Sequence, residues 1–216
     1  MKKLILVISL IGFTFFGCSD SNIVEPNSTD NTSIQANTVN FIELPQISEL
    51  RLMKEVSTSK LITSKDGGNL KIDYKIDKAP FGDFQMKSEL KVPKNAFSEN
   101  ELLFNMILDD QTTSVSFFPS PKKFSVPLEL DLEYKGFDAS KINIQTLSFI
   151  YLGSDGSVEK IQFDEIEFVK GDLTVKINKN GIMEIKGIDN YDTKMESKLK
   201  IKNARINHFS RFGFVQ

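Results

Sequence analysis

Val126-Pro-Leu-Glu-Leu-Asp-Leu-Glu-Tyr134 alternates apolar and acidic side chains almost without a break. Successive side chains of an extended chain point to opposite faces, so Leu128, Leu130, Leu132 and Tyr134 face one way and Glu129, Asp131 and Glu133 the other. One face suits burial and the other suits water, as in a strand of an antiparallel sheet. Outward from this stretch, the same alternation recurs in Lys71-Ile-Asp-Tyr-Lys-Ile-Asp77, Phe84-Gln-Met-Lys-Ser-Glu-Leu-Lys-Val92 and Leu173-Thr-Val-Lys-Ile-Asn178. Turn signals punctuate the runs at Asp66-Gly67-Gly68, Ser154-Asp155-Gly156-Ser157 and Lys179-Asn180-Gly181. Asn-Gly between alternating runs marks a hairpin, because both residues tolerate positive φ. Around ten short strands at this spacing predict an all-β domain over 41–216, an antiparallel β-sandwich or barrel. Helical periodicity is scarce. Only Gln46–Val56 suits a short helix, with Pro45 at its start, and a strand leading into the sheet fits there equally well.

The N-terminus has a different texture. Met1-Lys2-Lys3 is positive, and Leu4–Phe16 is a charge-free apolar run. Its length matches the apolar part of a secretory signal and falls short of the roughly 20 residues that span a bilayer. The run ends in Phe15-Phe16-Gly17-Cys18, which resembles the lipobox of bacterial lipoprotein precursors. There a small residue precedes the cut and the next thiol accepts the acyl chain; Gly17 and Cys18 meet both needs, while Phe15 stands where Leu is usual. The expectation is a signal peptide over 1–17 and lipidation at Cys18. Cys18 is the only cysteine, so no disulfide forms within the chain. Ser19–Asn40 is polar with few large apolar residues, and this composition predicts a disordered tether over 18–40. Ser19 is not the acidic residue that retains some lipoproteins in the inner membrane, which favours the outer membrane. Without Lys2 and Lys3 the chain keeps 25 basic against 29 acidic residues, both signs spread without blocks. No basic face for nucleic acid is visible in that distribution.

Ordered features then line up along most of the exported chain. Gly67-Gly68 precedes a strand; Leu90-Lys-Val-Pro93-Lys-Asn95-Ala-Phe97 is followed by the Ile/Leu-rich stretch Leu102–Leu108. Phe118-Pro119 and Phe124-Ser-Val-Pro127 each lead with an aromatic residue into a proline, Tyr151-Leu-Gly-Ser-Asp-Gly156 gives a hairpin, and His208-Phe209-Ser210-Arg211-Phe212 closes the chain. From about Lys60 to Val215 this order resembles the ZU-five domain of netrin receptors, ankyrins and tight-junction scaffolds, with relatives in bacterial surface lipoproteins. Where the family reads Pro-Pro-Gly-Ala, this chain has Pro93-Lys94-Asn95-Ala96; Asn is the next best residue after Gly at positive φ. Gly181–Lys202 is longer than the family pattern needs, which leaves the strand order after Gly181 open. The resemblance implies a β-sandwich used for interaction and structure. Eukaryotic members bind proteins such as spectrin, but no partner-binding residue carries over.

The chemistry-bearing residues are few. His208 is the only histidine, which rules out a site with two imidazole ligands and leaves no cofactor or zinc set in view. A Ser-His-Asp triad would have to use His208, and no serine sits in a Gly-x-Ser-x-Gly setting. The carboxylate pairs Asp109-Asp110, Asp164-Glu165 and Asp189-Asn190-Tyr191-Asp192 lack the ligand spacing of a calcium loop and read as solvated turns. In some proteins with ZU-five domains a His-Phe-Ser sequence cuts itself. By that analogy Ser210 would attack the Phe209 carbonyl with help from His208. Eighteen phenylalanines and no tryptophan favour core packing over a sugar-stacking platform. The expected function is therefore a non-catalytic interaction or structural module of the bacterial cell envelope. The lipid on Cys18 would hold it to the membrane, and its partner would be another envelope protein. Self-cleavage between Phe209 and Ser210 is one alternative. A glycan- or lipid-binding lipoprotein is the other, and it would need a wide apolar concavity between the sheets.

Overall fold

A computed structural model of the chain describes residues 39–46, 56–192 and 194–216. All of them belong to one compact unit, Ala36–Gln216. The signal peptide over 1–17, Cys18, nearly all of the tether, and most of the Gln46–Val56 segment lie outside the described residues.

Thirteen strands are described: β1 Val56–Thr63, β2 Gly68–Ala79, β3 Gly82–Val92, β4 Glu101–Leu108, β5 Ser114–Phe118, β6 Lys122–Lys135, β7 Ser148–Leu152, β8 Val158–Lys160, β9 Glu165–Lys170, β10 Leu173–Asn178, β11 Met183–Lys186, β12 Ser197–Phe209 and β13 Arg211–Val215. They form two antiparallel sheets, one of six strands in the order β1-β4-β5-β13-β7-β8 and one of seven in the order β11-β10-β9-β12-β6-β3-β2. The fold is an all-β sandwich. Its one regular helical element among the described residues is a single 3₁₀ turn, Ala139–Lys141, capped by the Asp138 side chain.

The stretch Leu128–Tyr134 lies inside the seven-stranded sheet, with β3 on one side and the central strand β12 on the other. Pairing aligns its inward residues into rows that cross the whole sheet. One row runs Tyr74, Met86, Tyr134, Leu199, Phe168, Val175, Ile185; the next runs Ile72, Ser88, Leu132, Ile201, Ile166, Ile177, Met183. Phe104, Phe117, Phe212 and Phe214 of the six-stranded sheet fill the space opposite, all fully buried. The interface between the sheets is thus occupied by side chains. Tyr134 keeps a polar tip inside it: its hydroxyl donates to the Ser114 carbonyl at 3.3 Å, and burial pushes the phenol well above its ordinary value.

The hairpin at Lys179-Asn180-Gly181 forms, but its chemistry differs from the expectation. Only Gly181 has positive φ, at 75°. Asn178 does the rest, its side-chain oxygen accepting from the Asn180 and Ile182 amides at 2.9 and 3.1 Å. Asn95 does adopt the left-handed conformation, with φ 58°.

Candidate functional site

Two places stand out in the structure. The first is the corner at His208-Phe209-Ser210. Strand β12 ends at Phe209 in one sheet and β13 begins at Arg211 in the other, so Ser210 alone carries the chain across. Phe209 is buried, its ring 4.8 Å from that of Phe124, 5.2 Å from Phe117 and 5.3 Å from Phe104. These contacts hold one end of the corner in the core. The Phe209 carbonyl accepts a hydrogen bond from the Ser120 hydroxyl at 3.0 Å. The Ser210 hydroxyl donates to the Leu152 carbonyl at 3.0 Å, and the Ser210 carbonyl accepts from the Phe117 amide at 2.9 Å. His208 lies edge-on against Tyr151, with ring centroids 4.2 Å apart, and its Nε2 is 3.4 Å from Glu159 Oε2. Ser120, Tyr151 and Glu159 complete the corner; the Pro119-Ser120-Pro121 turn was the one sequence feature that could have pointed to Ser120.

The second place is the outer face of the six-stranded sheet. Leu61 and Leu103 are cross-strand partners, 55% and 51% exposed, and Phe118, 43% exposed, lies diagonally from Leu103 opposite Asn105. Ser59 donates to Asn105 beside them at 2.5 Å. The face thus carries an apolar patch beside Ser59 and Asn105, with Glu101 at one margin and Asp109 and Arg211 at the other, around Phe118. Further along it, Arg211 bonds Asp109 at 2.7 Å, Ser114 at 3.0 Å and Thr112 at 3.2 Å, and lies over the Phe41 ring at 4.8 Å. Phe41–Leu44 is fastened there by isolated bridges to Val215 and Thr112: the Ile42 amide donates to Phe214 and its carbonyl accepts from Thr113, at 2.9 and 2.8 Å. Arg211 and Phe41 therefore fasten the start of the domain to its last strand.

The outer face of the seven-stranded sheet is different. Pairing produces a row Asp73, Lys87, Glu133, Lys200, Glu167, Lys176, Glu184 in which the sign alternates at every step. Lys200 is 3.0 Å from Glu133 and Lys87 3.5 Å from Asp73. The adjoining Glu165 is bonded by Lys202 at 2.6 Å, and that hydrogen bond holds its carboxyl below the usual range against the opposing effect of burial.

Within each of the three acidic stretches, carboxylates are bonded to protein groups. Asp109 accepts from the Gln111 and Thr112 amides besides Arg211, Asp164 from Asn203 at 2.7 Å, and Asp189 from Lys170 at 2.8 Å. Among the described residues no group of three His, Cys, Asp or Glu side chains is placed to hold a metal ion, and no helix is long and apolar enough to cross a membrane. No family model matches this chain, and no curated protein or solved structure matches it either.

Proposed function

We propose that this chain is a membrane-anchored lipoprotein of the bacterial cell envelope, held through Cys18, that works as a non-catalytic protein-interaction or structural module. The observation that carries the reading is the contrast between the two outer faces. One is a closed lattice of alternating charge; the other exposes Leu61, Leu103 and Phe118 beside Ser59 and Asn105, with charge only at the margins, Glu101 at one side and Arg211 with Asp109 at the other. Protein contact sites combine apolar anchors with a polar rim and are depleted in charge at their centre. The resemblance to ZU-five domains, used for protein contacts elsewhere, supports the same reading, and the export signal ending at Cys18 supports an envelope protein as the partner.

The test is cross-linking in native membranes, comparing the parent with Leu61→Asp and Leu103→Asp. Both side chains are exposed, so folding stability should stay within about 0.5 kcal/mol of the parent. The expected result is recovery of one partner that falls about tenfold in either variant, as for a residue central to a contact. Equal recovery would remove the apolar face from the account.

A second reading, self-cleavage between Phe209 and Ser210, draws support from the Ser120 hydroxyl on the Phe209 carbonyl, a donor that would stabilise an oxyanion there. Ser210 would have to give up its bond to Leu152 before its oxygen could attack that carbonyl carbon. The peptide nitrogen would then leave with a proton to give an ester, which water hydrolyses.

A further inference from the structure

Strand β11 is the edge of the seven-stranded sheet, and among the described residues it pairs only with β10. Every one of its residues is exposed. The two inward rows of the core run out at this edge in Ile185, 55% exposed, and Met183, while Ile182 and Ile188 flank the strand in the open. The opposite rim is managed differently: β2 carries Lys71, Asp73, Lys75 and Asp77 along its length, the kind of charge that discourages edge pairing, and Lys60 of β1 reaches across to it. Edge β11 has two charges only, Glu184 and Lys186, both on the outer face.

The hydrogen-bonding phase of this edge is set by its turn. The Asn178 amide donates to the Ile182 carbonyl at 3.0 Å. Antiparallel pairing alternates, so Glu184 turns its peptide groups toward β10 while Met183 and Ile185 turn theirs outward. A strand laid against the free side would therefore bond to Met183 and Ile185.

We propose that the occupant is a second copy of this chain, paired β11 to β11 in antiparallel register about a two-fold axis through Ile185. Three features of the edge select that partner and register. Ile185, whose peptide groups point outward, falls opposite itself, so the two copies exchange a pair of hydrogen bonds at the axis. Glu184 falls opposite Lys186 of the second copy, and Lys186 opposite its Glu184. The alternating row Asp73, Lys87, Glu133, Lys200, Glu167, Lys176, Glu184 then gains the positive neighbour that its next step requires. Finally, Ile182 is brought toward Ile188 of the second copy, which covers on both sides the most exposed large apolar side chains among the described residues. The isologous contact closes on itself and joins two seven-stranded sheets into one. It lies on a different sheet from the Leu61–Leu103 patch and does not depend on the lipid at Cys18.

The experiment is sedimentation of the full chain, detergent-solubilised, with single and double charge reversals. The parent is expected to be dimeric. Glu184→Lys or Lys186→Glu places like charges opposite each other at both symmetric pairs and is expected to weaken dimerisation about tenfold or more. The double variant Glu184→Lys/Lys186→Glu restores opposite charges and is expected to restore the dimer. All four residues of β11 are exposed, so these variants fold as the parent does. An Ile185→Cys variant adds a test of register. Opposed hydrogen-bonded residues lie about 5.5 Å apart at Cα, within disulfide range, so it should cross-link to itself while Ile182→Cys and the parent, with Cys18 alone, should not. A monomeric parent, a dimer indifferent to single reversal, or a double variant that stays dissociated would each overturn the proposal.

Discussion

The ring of Phe41 lies where a side chain on Gly213 would stand. A Cβ there would come within 2.6 Å of Phe41 Cδ1 and 2.7 Å of the Thr113 carbonyl oxygen. Gly213→Ala is therefore expected to force the Phe41–Leu44 segment off the last strand, costing about 1–3 kcal/mol as overpacking does, read by urea denaturation. Phe209 poses the opposite problem. Its ring holds three other rings together, so Phe209→Ala should open a cavity and cost about 3–5 kcal/mol in the same measurement. Ser210→Ala loses one hydrogen bond to Leu152, worth about 1 kcal/mol, and should leave the fold intact. The closing sequence His208-Phe209-Ser210-Arg211-Phe212 was legible as a unit, because three aromatic rings with a serine and an arginine between them stand out at the chain's end. What the unit does structurally was not legible. The partners of each member, Glu159 for His208, Leu152 for Ser210, Asp109 for Arg211, lie between 49 and 102 residues away in sequence.

Strands whose two faces differ strongly were readable, and those with one environment were not. β3, β6 and β10 alternate buried and accessible side chains along most of their length, and their alternation in sequence is the same pattern. β8 and β11 are exposed throughout and only three and four residues long, too short for the alternation of Met183-Glu-Ile-Lys186 to stand out. β12 does alternate, but Asn203, with φ 50°, lies where the register shifts between Ile201 and Ala204 and breaks the count midway. Charges that look evenly scattered in sequence become ordered rows once the strands pair. Their contribution has a defined pH dependence at Glu165. Its carboxyl is held below its ordinary value of 4.5, chiefly by the bond from Lys202, so the stabilisation is complete above 4.5 and is lost as pH falls through the lowered value. Lys202 is held above its ordinary 10.5 by the same bond; its share is complete below 10.5 and is lost as pH rises through the raised value. A Glu165→Gln variant is thus expected to lose less stability than the parent between neutral pH and the acid range below 4.5. Parallel slopes in urea denaturation across that range would contradict this.

At the level of the whole molecule, the sandwich is a scaffold with two unlike outer faces, a filled interior and an N-terminal segment fastened by Phe41 and Arg211. The all-β class followed from alternation alone, since a period of two over four separate stretches admits little else. The apolar patch could not follow, because Leu61, Leu103 and Phe118 become neighbours only through pairing of β1, β4 and β5. The functional account joins that face to an export signal and a lipid at Cys18. Both ends of the chain bear on it: the first must be cut and acylated, and the last must stay uncut for the corner at Ser210 to act as structure. The intact mass of the native protein, extracted from its membrane, reads both at once. The expected species begins at Cys18, carries added acyl mass and still contains Ser210–Gln216. An unmodified chain, a start other than Cys18, or loss of the seven residues Ser210–Gln216 would contradict it.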